Sequence, residues 1–362
     1  MNLFLVTAPG MEALLADEAR ALGLDVRGTQ PGGVTIEGGW PEVWHANREL
    51  RGATRVLARL CEFRAMHLAQ LDKRARKQPW SDWLRPDVPV RVEAICRKSR
   101  IYHHKAAAQR VERAVSETLG VAISKDAEIT LKVRIEDDLC TISVDTSGAS
   151  LHKRGLKQQV NKAPMRETLA ALFLRACGFD GHEAVYDPMC GSGTFPIEAA
   201  EISAGLSPGR ARSFSFEKLA TYQGAPALPA QPTPGGPVRF FGSDRDTGAI
   251  TMSRSNAERA GVATLVQFTA MPISDITAPD TAPGLIIVNP PYGGRVGNKK
   301  PLFGLYAAMG ARLMQEFSGW RVGVITSEAG LAKATSLPFL PPGPIVDHGG
   351  IKVRLWKTSA LK

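Results

Sequence analysis

The chain has only five cysteines in 362 residues, Cys61, Cys96, Cys140, Cys177 and Cys190, and no two of them form a CxxC pair. That spacing offers neither a zinc site nor a disulfide framework, and it fits a reduced, cytoplasmic protein with structural thiols. No run of about 18 apolar residues is present, which argues against a membrane-spanning helix. The opening MNLFLVTAPGMEALL lacks a basic flank before its short apolar stretch, so it does not read as a signal peptide. There is no G-x-x-x-x-G-K-[ST] string, which excludes the Walker route to triphosphates. Internal repeats are also missing.

What is present is basic charge in one place. The net charge is +10. Between Arg48 and Arg110 there are 16 Lys/Arg against 6 Asp/Glu, so this segment carries the whole excess and the rest sums to zero. A basic surface confined to one segment suits phosphate binding, because each neutralised phosphate releases condensed counterions. Charge alone leaves a plain solvated face as an equal alternative. With 44% hydrophobic and 22% charged residues, ordinary packed cores are expected, and the length suits two domains.

Periodicity divides the chain. Up to about residue 148, short elements mix without a regular beat. Strands are expected at 3–7, 34–37, 55–63, 88–95, 129–135 and 139–144, and helices at 11–22, 40–50, 68–77 and 105–119, as in an α+β region. From about 163 the pattern becomes a doubly wound α/β sheet, with Pro164 placed where a helix can begin. Strands are expected at 184–187, 238–242, 265–268, 285–288, 322–325 and 353–356, and helices at 195–204, 246–260 and 302–317. The stretch 223–237, rich in Pro, Gly and Ala, reads as a surface loop. Between the halves lie His152, Lys153, Arg154, Lys157, Lys162 and Arg166, read as a second nucleic-acid contact in preference to a plain linker.

Three strings carry chemistry. The first runs from Asp187 through Pro188, Met189, Cys190, Gly191, Ser192 and Gly193 to Thr194, after a strand and opening a helix. Its glycines let the backbone turn tightly and approach a ligand. The second is Gly242-Ser-Asp244-Arg-Asp246 at another strand end. There Asp244 can accept hydrogen bonds from both ribose hydroxyls of an adenosine cofactor, while Asp246 reads as a helix cap. The third is Asn289-Pro290-Pro291-Tyr292-Gly293 behind an apolar strand. Paired prolines leave carbonyls free at a rigid turn. Asn289 adds a side-chain oxygen, so the two together can accept both hydrogens of an –NH2 group, with Tyr292 as a flat face for a base.

These strings resemble the class I methyltransferase fold, and NPPY its amino-group branch. The likeness extends to SLHKRG at 150–155, APMRETLAA at 163–171, PGR at 208–210, FSFE at 214–217 and, more weakly, TAPGME at 7–12. Taken together the chain resembles the bacterial 23S rRNA guanine-N2 methyltransferases that carry an N-terminal THUMP domain. The resemblance implies a ferredoxin-like segment (1–60), a THUMP RNA-binding domain (61–148) and a Rossmann-like methyltransferase domain (149–362, with linker and first helix at 149–178).

It further implies S-adenosylmethionine as cofactor, held by Asp187, Pro188, Cys190–Thr194 and Asp244, and S-adenosylhomocysteine as product. The target base would meet Asn289, Pro290, Pro291 and Tyr292. RNA, 23S rRNA or a large-subunit precursor, would meet Arg74, Arg76, Lys77, Arg97, Lys98, Arg100, Lys105, Lys153 and Arg154. No metal is implied. The acidic residue with which many relatives meet the cofactor's adenine has no match at its usual place; Asp275 lies nearby, and the contact is unassigned. Transfer of an already activated methyl needs positioning rather than a nucleophile. Other readings of the same strings are a tRNA guanine-N2 methyltransferase, a DNA adenine-N6 methyltransferase, or a non-catalytic ribosome assembly factor.

Overall fold

A computed structural model describes residues 1–158, 164–224, 230–237, 239–292 and 300–362. Lys162, Ala163, the middle of the 223–237 loop, Val238 and Gly293 lie outside the described residues. The chain forms two compact units. One holds Met1–Thr7, Ala16–Leu151 and a segment that starts at Arg212; the other holds Ala8–Leu15, His152–Ala211 and the chain beyond that segment.

In chain order the first part contains β1 (Asn2–Val6), α1 (Glu12–Ala21), β2 (Asp25–Gln30), β3 (Gly33–Glu37), α2 (Trp40–Glu49), β4 (Arg55–Arg64), α3 (Leu68–Ala75), β5 (Val90–Arg97), α4 (His104–Leu119), β6 (Ile129–Glu136) and β7 (Leu139–Asp145). The strands make one sheet in the order β2-β3-β1-β4-β7-β6-β5, antiparallel except for the β5–β6 pair. Alternation builds it: Leu3 and Leu5 of β1 are fully buried while Asn2 faces out. β4 is the joint. Its first residues pair with β1 and most of its length with β7, so the boundary expected at residue 60 falls inside a continuous strand. β2 was not expected. It is an edge strand, mostly exposed, and carries no alternating pattern to read.

The segment from Arg212 was expected inside the second domain, yet it groups with the first unit. The reason is apolar. Phe214 stacks on Phe216 at 5.2 Å, and Trp44 and Tyr222 pack around Phe216, which is fully buried. The Arg212 guanidinium donates to the carbonyls of Ser147, Ala149 and Ser150, and Ser215 Oγ donates to that of Glu128.

The second unit contains α5 (Glu167–Ala176), β8 (Val185–Asp187), α6 (Thr194–Ser203), β9 (Phe240–Asp244), α7 (Thr247–Ala260), β10 (Val266–Ala270), β11 (Leu285–Val288), α8 (Lys300–Glu316), β12 (Arg321–Thr326), α9 (Ala329–Ala334), β13 (Val346–His348) and β14 (Ile351–Lys357). Its sheet runs β10-β9-β8-β11-β12-β14-β13, with the first five strands parallel. The fold is therefore α/β, a Rossmann-like sheet preceded by an α+β region. Four consecutive residues of β11 are buried, as expected for a parallel strand covered on both faces. Tyr306, Met309 and Leu313 of α8, with Phe317 just beyond it, pack with Ile286, Val288, Val322 and Val324 on one of those faces. α5 starts at Glu167, not at Pro164.

Replacing Phe216 by Ala removes the centre of the aromatic cluster. Urea unfolding should show a loss of about 3–5 kcal/mol, the usual cost of emptying a buried Phe site.

Candidate active site

β8, β9 and β11 are adjacent and parallel, so their carboxyl ends lie side by side. The residues that follow each end make the site. Asp187, the last residue of β8, is 2% exposed and pairs in register with Gly242 of β9. Its carboxylate accepts from the backbone N–H of Met189 at 3.0 Å. Burial raises its pKa well above the ordinary range; the Met189 hydrogen bond lowers it, and nearby Asp244 raises it further.

The turn after Asp187 needs its glycines for two different reasons. Gly191 (φ +54°) has nothing within 4 Å of where a Cβ would stand, leaving room for a ligand to meet its backbone. Gly193 (φ +80°) is the opposite case: a Cβ would come within 2.9 Å of Phe268 and 3.0 Å of Ser253. α7 holds the turn from inside. Ser253 Oγ donates to the Gly191 carbonyl (2.8 Å), and Asn256 Nδ2 to that of Ser192 (3.0 Å).

Asp244 ends β9. Its Oδ2 accepts from the Gly191 N–H at 3.1 Å and its Oδ1 from the Asp246 N–H at 3.0 Å, so it also braces the turn. Asp246 caps α7, accepting from the N–H of Gly248 at 2.8 Å. Asp275 is exposed and accepts from its neighbour Ser274, which leaves the adenine contact unassigned.

Beyond β11, Asn289 Oδ1 is buried with no hydrogen-bond partner among the described residues. Pro290 is buried and Pro291 exposed, and the Pro291 carbonyl accepts from the Tyr306 hydroxyl at 3.3 Å. Tyr292 is half-buried, its hydroxyl 3.0 Å from His348 Nδ1. His348 Nε2 lies 3.3 Å from the Pro164 carbonyl. A carbonyl only accepts, so Nε2 carries the proton and Nδ1 accepts from Tyr292 in the neutral ring.

The fold agrees with the comparisons. Residues 154–338 match the family of RMKL-like methyltransferase domains, 2–57 an RlmL ferredoxin-like domain and 65–145 a THUMP domain. The chain belongs to the RMKL-like methyltransferase family. It is 36% identical to the ribosomal RNA large subunit methyltransferase K/L of Syntrophotalea carbinolica over 91% of its own length and 50% of that protein's. It thus spans about half the length of the curated relatives it matches. A possible methylase from Clostridium difficile 630 superposes over the full chain with a TM-score of 0.89 at 28% identity, covering 98% of that chain. SMU.472, crystallised with S-adenosylhomocysteine, superposes over the full chain with a TM-score of 0.86 at 25% identity, again covering 98%.

The cofactor of this RMKL-like methyltransferase is S-adenosylmethionine, and the residues present fit it. The room over Gly191 admits a ligand against the backbone. Asp187 is a buried carboxylate with one N–H donor, short of positive charge at the place where a methionine ammonium would bind.

One expected RNA contact is overturned. Arg154 is 4% exposed and forms ion pairs with Glu198 and Glu201, and Arg210 pairs with Glu201 from another direction. Its charge is neutralised inside the protein, where a phosphate has no access. Lys157 is likewise engaged, reaching Glu167, the Met165 carbonyl and Thr194 Oγ1. Lys153 is exposed at a cavity of about 580 Å³ that His348 also lines. In the first unit, Arg97, Lys98, Arg100 and Lys105 are exposed, whereas Arg76 is tied to Asp72 and Glu117. Arg74 and Lys77 line an open groove along α3. Burial pushes the thiols of Cys61, Cys140 and Cys177 up to about 12, and that of Cys190 well above its ordinary value, so none is a ready nucleophile.

His348, Ser253 and Asn256 were not foreseen. The last two are polar residues three apart on the buried face of α7, which was the one available signal; His348 gave none.

Asp187→Asn should separate stability from binding. A carboxyl whose folded pKa is raised favours the protonated folded state. Stability without cofactor therefore falls as pH rises from the ordinary carboxyl range toward the folded value. Asn removes that dependence. Calorimetry at pH 8 should show the variant melting higher by about 2–4 °C, the equivalent of about 1 kcal/mol, while cofactor affinity falls at least tenfold.

Proposed function

We propose that this chain methylates the exocyclic N2 amino group of a guanine in RNA, with large-subunit ribosomal RNA as substrate and the bacterial cytoplasm as its place of work. The observation that carries the amino-group reading is the unpartnered Asn289 Oδ1. A buried acceptor left alone costs about 1–3 kcal/mol, and an incoming N–H donor recovers it. Asn289 is followed by two prolines that bring no N–H of their own, so its carboxamide oxygen and the Pro290 carbonyl form an acceptor pair for an –NH2 group. The RNA reading is supported by the THUMP match and by the names of the relatives; guanine N2 rests on the resemblance in the motifs.

When bound, S-adenosylmethionine supplies a methyl on a sulfonium centre. The chain's residues prepare the amine. Two acceptors on its hydrogens pull the nitrogen toward a pyramidal shape and free a lone pair otherwise delocalised into the ring. They also stabilise positive charge as it grows on nitrogen. Tyr292 offers its ring to the base, which must leave its stack; such contacts return about 1–3 kcal/mol. The bond from its hydroxyl to His348 limits rotation of the ring and so its tilt. No side-chain base is required, because a methylated aryl ammonium releases its proton to water.

Two measurements test this. Nucleoside mass spectrometry after incubation with unmodified rRNA, tRNA and duplex DNA should find N2-methylguanosine in the large-subunit rRNA; label in tRNA guanine or DNA adenine would replace the substrate assignment. Asn289→Ala should lower kcat by about 100-fold or more with cofactor affinity intact. Turnover within a few-fold of wild type would remove Asn289 from this role.

A further inference from the structure

Tyr102 is 72% exposed, the most exposed of the large apolar and aromatic side chains among the described residues. It stands on the loop between β5 and α4, with its ring 4.5 Å from that of His103. This loop is braced. Ile101, its immediate neighbour, is 3% exposed and anchors it in the core. Ser99 Oγ donates to the Arg97 carbonyl and accepts from the Asp138 N–H, and the Arg100 N–H donates to Asp138 Oδ1 at 2.8 Å. Three of the four described non-glycine residues with positive φ meet here: Lys98 on the loop, and Asp137 and Asp138 on the facing hairpin turn. Asp137 and Asp138 take positive φ as the two central residues of the β6–β7 hairpin turn, a conformation Asp tolerates, and their backbone and side chain hold the loop in place.

Basic residues flank Tyr102 along the chain. Arg97, Lys98, Arg100, His104 and Lys105 are all exposed, and no Asp or Glu occurs from Ala94 to Val111. On the facing turn, Asp138 pairs with Arg100 and Glu136 with Arg134, while Asp137 is exposed. Arg100 also reaches Met66 Sδ at 3.5 Å, and the open groove lined by His67, Lys73, Arg74 and Lys77 begins one residue further on.

A flat, solvent-facing ring on a braced loop flanked by exposed basic residues suits one ligand chemistry, a nucleobase whose face is free and whose flanking phosphates are negative. A duplex hides base faces within its stack, so it cannot use the ring. From this geometry we infer that Tyr102 is a stacking platform for an unpaired base, and that the THUMP part selects single-stranded RNA next to the target through it. The inference rests on the reading of RNA as substrate.

The test is fluorescence anisotropy with the intact protein and two labelled probes of about 12 nucleotides, one single-stranded RNA and one blunt RNA duplex. Wild type should prefer the single strand. Tyr102→Ala should weaken that binding about 5-fold or more, Tyr102→Trp should retain it, and duplex binding should stay within about twofold for both. Because the ring is exposed, the thermal melt should not change. Unchanged single-strand binding by Tyr102→Ala, or an equal loss on both probes, overturns the platform while the RNA reading stands. No binding of either probe by wild type overturns both.

Discussion

Parallel pairing on both sides of β8 is the constraint from which the site follows. β8 has only three residues, all buried, and it is flanked by β9 and β11. Neighbouring strands lie about 4.8 Å apart, so residues leaving three adjacent carboxyl ends are gathered within roughly 10 Å without any further device. The turn after β8, Asp244 after β9 and Asn289 after β11 converge for that reason. The side chains of α7 only trim the result, by holding two carbonyls of the turn.

Buried carboxylates in this unit fall into two kinds. Glu198 and Glu201 of α6 are matched by Arg154 and Arg210, so their charge is balanced within the fold. Asp187 receives one backbone hydrogen bond and has another carboxylate nearby, so its charge is left short. Asn289 repeats the pattern in neutral form, an acceptor buried without a donor among the described residues. Internal polar groups that are satisfied specify structure, whereas these two deficits are what the proposed cofactor and base would fill. The fold supplies the burial that makes each deficit costly and so makes each useful.

Much of this was legible in the residues. The βα rhythm gave the second sheet because strands buried on both faces read as apolar runs, and the three site strings fell where such runs end. Arg154 was misread because the sequence shows only a cation among cations; its partners, Glu198 and Glu201, lie more than 40 residues away on α6. β2 left no trace because an edge strand in solvent needs no hydrophobic period. β13, only three residues long, was equally silent, and His348 came with it. That the segment from Arg212 packs with the first unit left no sign for a related reason. Its Phe214 and Phe216 announce burial but not against what.

That returning segment bears on how such a protein can be taken apart. The backbone passes from the first unit to the second near residue 151, comes back at Arg212, and leaves again. Ancestry and engineering therefore meet a braid and not two beads on a string. A fragment ending at residue 151 would lose the partners of Trp44, exposing an apolar face that the intact chain covers. A graft of the catalytic unit onto another RNA-binding module would carry Phe214 and Phe216 as a foreign flap. Exchange of modules across this junction is penalised from both sides, which ties the two units into one heritable piece.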